Sequence, residues 1–366
     1  MPDFSAIDSV MMARALKLAA RGRYTAHPNP MVGCLLVRDG EVIGEGWHER
    51  SGEPHAEVNA LCAAGNATNA TCYVTLEPCS HHGKTPPCAD ELISAGVRDV
   101  VCAMQDPFPA VSGDGIAALR DAGIDVRVGL MQFQAEALNR GYLSRIRRGR
   151  PFVRIKMAAS IDGAVAMKSG QSQWISGPES RADVQRLRAE SGAILSGIGT
   201  VLADDPSFTV RHANIDTGGL QPLRAILDSN LRMPLSSGML CLPGKTVVYC
   251  SKTDRRKGLE DAGAEVIRVA GKDSQVDAAV VLEDLGRRGI NDVLVEAGPV
   301  LAGSLLTAGL VDELVIYQAP HIMGSETIPM FSTPGLSLLG DRLRLVISDM
   351  RRIGADTRIT ARISEN

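Results

Sequence analysis

Aromatic side chains are scarce in this chain, at 4% of 366 residues, which argues against a base-stacking platform for single-stranded nucleic acid. An excess of positive charge is also missing. There are 39 Lys and Arg against 42 Asp and Glu, for a formal net charge of −3, so no global basic field draws the chain to a polynucleotide. No apolar run approaches the roughly 20 residues of a membrane span. Near the N-terminus, Asp8, Arg14 and Lys17 interrupt any apolar core that a signal peptide would need. The 8 cysteines lack the dense, regular spacing of a secreted disulfide scaffold. No G-x-G-x-x-G follows a strand, so the standard Rossmann fingerprint is absent. These absences together point to a cytoplasmic protein acting on small molecules, with no nucleic-acid or membrane partner.

What is present suits about two globular domains: 366 residues, 45% hydrophobic and 22% charged. The boundary is placed at the basic segment Ser144-Arg145-Ile146-Arg147-Arg148-Gly149-Arg150-Pro151, giving domains 1–148 and 149–366. Such a run reads as a solvated linker or helix end. After it, Phe152 to Met157 alternates like a strand. At the N-terminus, Ser5-x-x-Asp8 predicts a helix start, with Ile7, Met11, Ala15 and Leu18 on one face.

Chemistry concentrates at His55-Ala56-Glu57, Pro78-Cys79 and Pro87-Cys88. An imidazole and two thiolates fill three tetrahedral positions around zinc and leave the fourth open for water. Bound zinc lowers the pKa of that water toward about 7, making hydroxide available at neutral pH, and Glu57 is placed to carry a proton to a leaving amine. Two thiolates and a neutral imidazole also cancel the metal's charge. Thr71 to Leu76 reads as a strand that delivers Cys79 just beyond its end. Ala56–Ala64 and Ala89–Ala95 read as helices closed by Gly65 and Gly96, so His55 and Cys88 fall at helix N-termini, where the dipole favours thiolate. Alternating strands and helices predict a mixed three-layer α/β domain. A structural zinc site, with His81 or His82 as fourth ligand, is the alternative; it has no need of Glu57.

In the second half, a strand at 292–295 leads through Glu296-Ala297-Gly298-Pro299 into a helix-like run from Val300 to Ala308. The stretch from Ala193 to Pro206 likewise passes from an apolar strand through a glycine turn. Backbone amides at such turns can hold a pyrophosphate at a helix N-terminus, which makes this a plausible phosphate-binding α/β domain. The apolar helix from Val300 to Leu310 is a candidate partner-facing surface.

The H-x-E and P-C pieces resemble the zinc deaminases, although their closing C-x-x-C is replaced here by a longer loop between Cys79 and Cys88. That loop, PC-x-H-x-GKTPPC, together with Asn29-Pro30-x-Val32-Gly33-Cys34 and Gly44-x-Gly46-Trp47-His48, resembles the deaminase domain of the RibD family of bifunctional riboflavin biosynthesis proteins. Downstream, Ala159 to Gly163, Ser172 to Ser176, Thr200 to Pro206 and Val295 to Pro299 resemble the reductase domain of that family. The resemblance covers nearly the whole chain, apart from about the last twenty residues. It implies a cytidine-deaminase-like three-layer domain followed by a dihydrofolate-reductase-like domain. It further implies hydrolytic deamination of a diaminopyrimidinone ribosylamino phosphate, then NADPH-dependent reduction of the ribosyl group to ribityl, in a homo-oligomer.

Carried over by resemblance, His55, Cys79 and Cys88 bind Zn2+ and Glu57 moves the proton. Asn29, His48, His81 and Lys84 contact the deaminase substrate. Ser172, Arg188, Phe208, Arg211 and Glu296 contact the reductase substrate, and guanidinium is well suited to its phosphate. Ala158, Trp174, Thr200, Asp204, Ser229, Gly298, Pro299 and Val300 contact the NADPH cofactor. No residue is marked by the sequence as proton donor for the reduction. A deaminase with a regulatory nucleotide-binding domain, or a non-enzymatic zinc and nucleotide module, are the competing readings.

Overall fold

The computed structural model describes residues 3–80, 86–109, 111–269, 271 and 274–364. They form two compact units, Met1–Gly149 and Arg150–Asn366. In the first, α1 (Ala6–Ala19) precedes β1 (Gly33–Arg38), β2 (Glu41–Trp47), α2 (Ala56–Ala64), β3 (Thr71–Val74) and α3 (Cys88–Ser94). Then follow β4 (Asp99–Cys102), α4 (Asp114–Asp121), β5 (Asp125–Val128), α5 (Gln132–Leu138) and α6 (Arg140–Arg148). The sheet order is β2-β1-β3-β4-β5, antiparallel across β2, β1 and β3 and parallel from β3 to β5.

Strand periodicity sorts the core into two layers. Cys34, Leu36, Cys72, Val74, Val100 and Cys102 pack on α2, α3 and α4. Their neighbours Leu35, Val37, Tyr73 and Val101 point to the other face, against α1, α5 and α6. Two close approaches set the helices. A Cβ on Gly33 would stand 2.1 Å from the Ala15 carbonyl, and one on Gly46 would stand 2.5 Å from the Ala56 carbonyl. The Gly44-x-Gly46 pair therefore lets α2, with His55 and Glu57 at its start, lie directly on β2.

The N-terminal helix has the capping box expected of Ser5 and Asp8, but its buried face differs from the expected one. Ala15 and Leu18 are buried as expected, but Ile7 is 59% exposed, and Asp8, Met12 and Ala19 face inward with them. Asp8 is tolerated there because Tyr73 Oη donates to it at 2.7 Å and Arg127 Nη1 at 2.9 Å.

In the second unit, β6 (Phe152–Ser160), β7 (Ala164–Met167), α7 (Pro178–Ala189), β8 (Ala193–Gly197), α8 (Ile198–Asp204) and β9 (Leu223–Leu227) come first. Next are β10 (Thr246–Cys250), α9 (Arg256–Asp261), β11 (Ala264–Arg268), α10 (Ala278–Arg287), β12 (Asp292–Val295) and α11 (Pro299–Thr307). The chain closes with β13 (Glu313–Ala319), β14 (Thr327–Pro329), β15 (Leu345–Ile353) and β16 (Asp356–Ile363). The sheet runs β11-β10-β9-β8-β12-β6-β13-β16-β15, parallel from β11 to β13, with an antiparallel hairpin of β15 and β16 at one edge.

Helices α10 and α11 cover one face of that sheet, and α7, α8 and α9 cover the other. The apolar helix read as a partner surface turns inward instead: Ala302, Gly303, Leu305 and Leu306 of α11 are buried in their own core. A Cβ on Gly303 would overlap the Ser332 carbonyl at 1.8 Å, so this side of the helix is filled by its own chain. No helix among the described residues is long and apolar enough to cross a membrane.

Candidate functional site

In the first unit, His55 is the N-cap of α2, Glu57 lies in its first turn, and Cys88 opens α3 after Pro87. Their ligand atoms converge. His55 Nδ1 is 3.2 Å from Cys88 Sγ and 3.6 Å from Cys79 Sγ, and the Cys88 amide donates to Cys79 Sγ at 3.3 Å. All three ligand atoms lie within 4.8 Å of one another. Tetrahedral ligands at about 2.0–2.3 Å from zinc stand roughly 3.5–3.8 Å apart, so this donor set fits zinc in both type and spacing. The hydrogen bond with Cys88 pulls the Cys79 thiol down to about 4, and the same bond and burial push Cys88 up.

Glu57 is 3% exposed, and burial pushes its carboxyl up to about 7. A carboxyl poised there can both take and return a proton near neutrality. Asn29 Nδ2 lies 3.0 Å from His48 Nε2, and His48 Nδ1 lies 3.2 Å from the Pro54 carbonyl. With Nδ1 donating to the carbonyl, Nε2 accepts from Asn29, which fixes one neutral tautomer; burial lowers the His48 pKa in keeping with that. Asn29, His48, His55, Glu57 and Cys79 line one pocket of about 300 Å³. His81, His82 and Lys84 lie outside the described residues.

Three contributors to this pocket escaped the sequence reading. Glu77 accepts amides from Asp106 at 3.1 Å, Gly113 at 3.0 Å and Ile116 at 3.2 Å, which pins the turn carrying Cys79. Gly115 packs so tightly on the Pro78 carbonyl that a Cβ would sit 1.9 Å from it. Arg145, read as part of a solvated basic run, instead lines the pocket from α6 because helical periodicity places it beside Tyr142 and Ile146.

The second unit carries a larger cleft, about 1850 Å³, at the carboxyl ends of β8, β9 and β12. This is where open parallel sheets place ligands. Every second-unit residue singled out above lines it: Ser172, Arg188, Phe208, Arg211 and Glu296, with Ala158, Trp174, Thr200, Asp204, Ser229, Gly298, Pro299 and Val300. Arg188 is not open to a phosphate through its main fork. Its Nε and Nη2 donate to Glu296 at 2.6 and 3.0 Å, and Nη1 donates to the Thr209 carbonyl at 3.1 Å. Arg211 is exposed, and among the described residues its guanidinium has no hydrogen bond, so it is the better placed cation.

Ser229 accepts from the Val276 amide at 3.1 Å. Trp174 is 70% exposed, with the Arg181 guanidinium 4.6 Å from its ring centre. Gly298 caps α11, and a Cβ there would meet nothing within 4 Å, which leaves the helix N-terminus open to an anion. Lys156 was missed by the sequence reading. It lines the cleft from β6, where burial lowers its pKa against the opposing pull of Glu296, while Arg188 lowers it further. A lone lysine in an alternating strand carries no signal that it points into a cleft.

Two family models match the chain, the cytidine and deoxycytidylate deaminase zinc-binding region over residues 5–104 and the RibD C-terminal domain over residues 151–359. Riboflavin biosynthesis protein RibD of Escherichia coli is 50% identical over 359 residues, covering 95% of this chain and 97% of that one. The Haemophilus influenzae protein of the same name is 46% identical over 370 residues, covering 98% of each. Among solved structures, Acinetobacter baumannii RibD is 41% identical with a TM-score of 0.92, covering 98% of this chain and 99% of that one. The diaminohydroxyphosphoribosylaminopyrimidine deaminase/5-amino-6-(5-phosphoribosylamino)uracil reductase of Thermotoga maritima is 30% identical with a TM-score of 0.86, at 98% and 99% coverage.

Proposed function

This chain belongs to the RibD family of bifunctional riboflavin biosynthesis proteins, a deaminase joined to a reductase, and from that premise we propose how its own residues divide the two reactions. The first unit, residues 1–148, hydrolyses 2,5-diamino-6-(5-phosphoribosylamino)pyrimidin-4-one. The second, residues 149–366, reduces the ribosyl group of 5-amino-6-(5-phosphoribosylamino)uracil to ribityl. The observation that carries the first assignment is the convergence of His55, Cys79 and Cys88 beside the buried carboxyl of Glu57.

His55, Cys79 and Cys88 hold Zn2+. When bound, zinc supplies the Lewis acidity that makes water a nucleophile near neutral pH. Glu57 accepts the proton of the attacking water and returns it to the departing amine, which leaves as ammonia. Asn29 and His48, with their hydrogen-bonding atoms fixed by each other and by Pro54, orient the pyrimidine ring. His81 and Lys84 complete this substrate site.

In the second unit, NADPH supplies the hydride. Ala158, Trp174, Thr200, Asp204, Ser229 and the turn Gly298-Pro299-Val300 would hold it, the amides at the N-terminus of α11 being suited to a pyrophosphate. Ser172, Phe208 and Arg211 hold the sugar phosphate and pyrimidine. Arg188 acts by fixing Glu296, and Glu296 faces Lys156. The ribosylamine ring opens to a C=N bond. NADPH, when bound, would supply hydride to its carbon, and Lys156, which lines the cleft where Glu296 opposes the lowering of its pKa by burial, delivers a proton to its nitrogen.

None of the 8 cysteines is joined in a disulfide, which suits a reducing cytoplasm. The edge strand β15 exposes Leu345, Val346, Ile347 and Met350, next to exposed Leu338 and Leu339. An uncovered apolar sheet edge of this kind supports a homo-oligomer, which light scattering of the purified protein tests. The function itself is tested by incubating zinc-loaded protein with the diaminopyrimidinone ribosylamino phosphate. Ammonia is expected without NADPH, and NADPH consumption once it is added; ammonia with no NADPH loss would reduce the second unit to a regulatory role.

A further inference from the structure

The loop between β7 and α7, residues 168–177, carries Ser172 and Trp174 into the wall of the reductase cleft. Gln173 and Trp174 are exposed, and Ser172 and Ile175 only half-buried, so the loop buries little that would fix it. Its first half closes on itself, the Gln171 carbonyl accepting the Met167 amide at 2.9 Å. Its second half is held from α7. Arg181 Nη1 donates to the Ser176 carbonyl at 2.6 Å, and the same guanidinium lies 4.6 Å from the centre of the Trp174 ring. Where that ring stands therefore depends on where the first turn of α7 begins.

The local sequence provides poorly for that beginning. Gly177 is the N-cap and has no side chain to accept an amide, and Pro178 follows at the start of the helix. The acceptor comes from the far end of the chain. Asp356, at the start of β16 and 2% exposed, takes the Gly177 amide at 2.8 Å and the Ser180 hydroxyl at 2.6 Å on one oxygen, Oδ2. A carboxylate there also faces the positive end of the helix dipole. The approach is close: a Cβ on Gly354, whose φ is +60°, would stand 2.6 Å from Glu179 Oε2. Further along α7, Arg358 Nη1 and Tyr317 Oη both donate to Asp183 Oδ2, at 2.9 and 2.7 Å. The body of α7 thus has its own anchors, and Arg188 its bond to Glu296, while the first turn leans on Asp356.

We propose that Asp356 is a positioning residue for the reductase cofactor: by holding the Gly177 amide and the Ser180 hydroxyl, it sets the loop that presents Trp174, and with it the affinity for NADPH. The proposal rests on reading the cleft as an NADPH site. The test compares Asp356→Ala and Asp356→Asn with the parent chain, all carrying Trp47→Phe so that Trp174 is the single tryptophan left. It reads the quenching of Trp174 emission by NADPH, kcat and both KM values of the reduction, and ammonia release. Asp356→Ala is expected to raise KM for NADPH, and the NADPH concentration that half-quenches Trp174, by roughly 5- to 50-fold. KM for the uracil intermediate, kcat and ammonia release are expected to stay within about twofold. Asp356→Asn keeps an acceptor oxygen of the same reach without the charge, and is expected to recover part of the loss. It also carries the test if the alanine variant fails to fold. An unchanged NADPH affinity would overturn the proposal. So would a matching loss in kcat and in KM for both reactants, which would make Asp356 a stabiliser of the whole unit. A parent chain that shows neither quenching nor consumption of NADPH would defeat the cofactor reading itself, and the proposal with it.

Discussion

The two sites solve different problems with different architecture. The deaminase pocket is small, about 300 Å³, and its key atoms are set by backbone: two helix starts, a helix lying on glycines of β2, and Glu77 bound to the amides of Asp106 and of the start of α4. The reductase cleft is about 1850 Å³ and is walled by loops that follow the strands, including the exposed Trp174. A metal-assisted hydrolysis of one bond needs three ligands and a carboxyl held to within a few tenths of an ångström. Hydride transfer between two bound molecules needs room for both, and the cleft has that room, with Lys156, Arg188 and Glu296 on its wall. Rigidity is therefore concentrated where the protein itself supplies the ligands, and space where the cofactor supplies the chemistry.

The comparison breaks most sharply by removing metal. Chelation is expected to abolish ammonia release, by a factor of about 10³ or more, while NADPH consumption with the uracil intermediate stays unchanged; added zinc restores the first activity. A parallel loss of both activities would mean that the units are not chemically independent. Next in size, Lys156→Met is expected to slow the reductase by about 10²- to 10⁴-fold with ammonia release intact, read as separate turnover numbers. A change confined to KM would make Lys156 a binding group instead of the proton donor.

Smaller effects sharpen the contrast in rigidity. Gly46→Ala would drive a methyl group into the Ala56 carbonyl, and is expected to cost about 2–3 kcal/mol, seen as a lower melting temperature, and to weaken zinc retention. Gly298→Ala has open space at the same position and should leave the melting temperature nearly unchanged. Between these two falls Asp8→Asn, expected to cost about 1–2 kcal/mol. Burial raises the Asp8 carboxyl, but Arg127, Tyr73 and Ser5 outweigh it and hold the group well below the usual carboxylate range. The unfolded chain then takes up the proton first. The stabilisation is present above the unfolded pKa of about 3.9 and is lost as pH falls toward the folded value. Acid unfolding of the variant should accordingly show a shallower pH dependence than that of the wild type.

The cluster of His55, Cys79 and Cys88 was legible because each stands at a helix or strand end that sequence can mark: Pro54 before His55, Pro78 before Cys79, Pro87 before Cys88. The three-layer order of the first unit followed from its alternating strands and helices. Glu77 was not legible, since its worth lies in amides of Asp106, Gly113 and Ile116, far along the chain. Arg145 was hidden in a basic run in which Arg147 and Arg148 are indeed exposed. The helix Val300 to Leu310 looked like an interface because a helix apolar on most sides is the same in sequence whether its own chain or another covers it. The C-terminal hairpin gave the weakest signal, because β15 lies at the sheet edge with nearly every residue exposed and so lacks a buried face to impose alternation.

The central claim, that Glu57 moves the proton for one reaction and leaves the other alone, is met most directly by assaying Glu57→Gln for zinc content, ammonia release and NADPH consumption together. The account predicts full zinc, ammonia release reduced by about 10²- to 10⁴-fold, and undiminished NADPH consumption when the deaminated intermediate is supplied. Wild-type ammonia release from a zinc-loaded Glu57→Gln protein would contradict it.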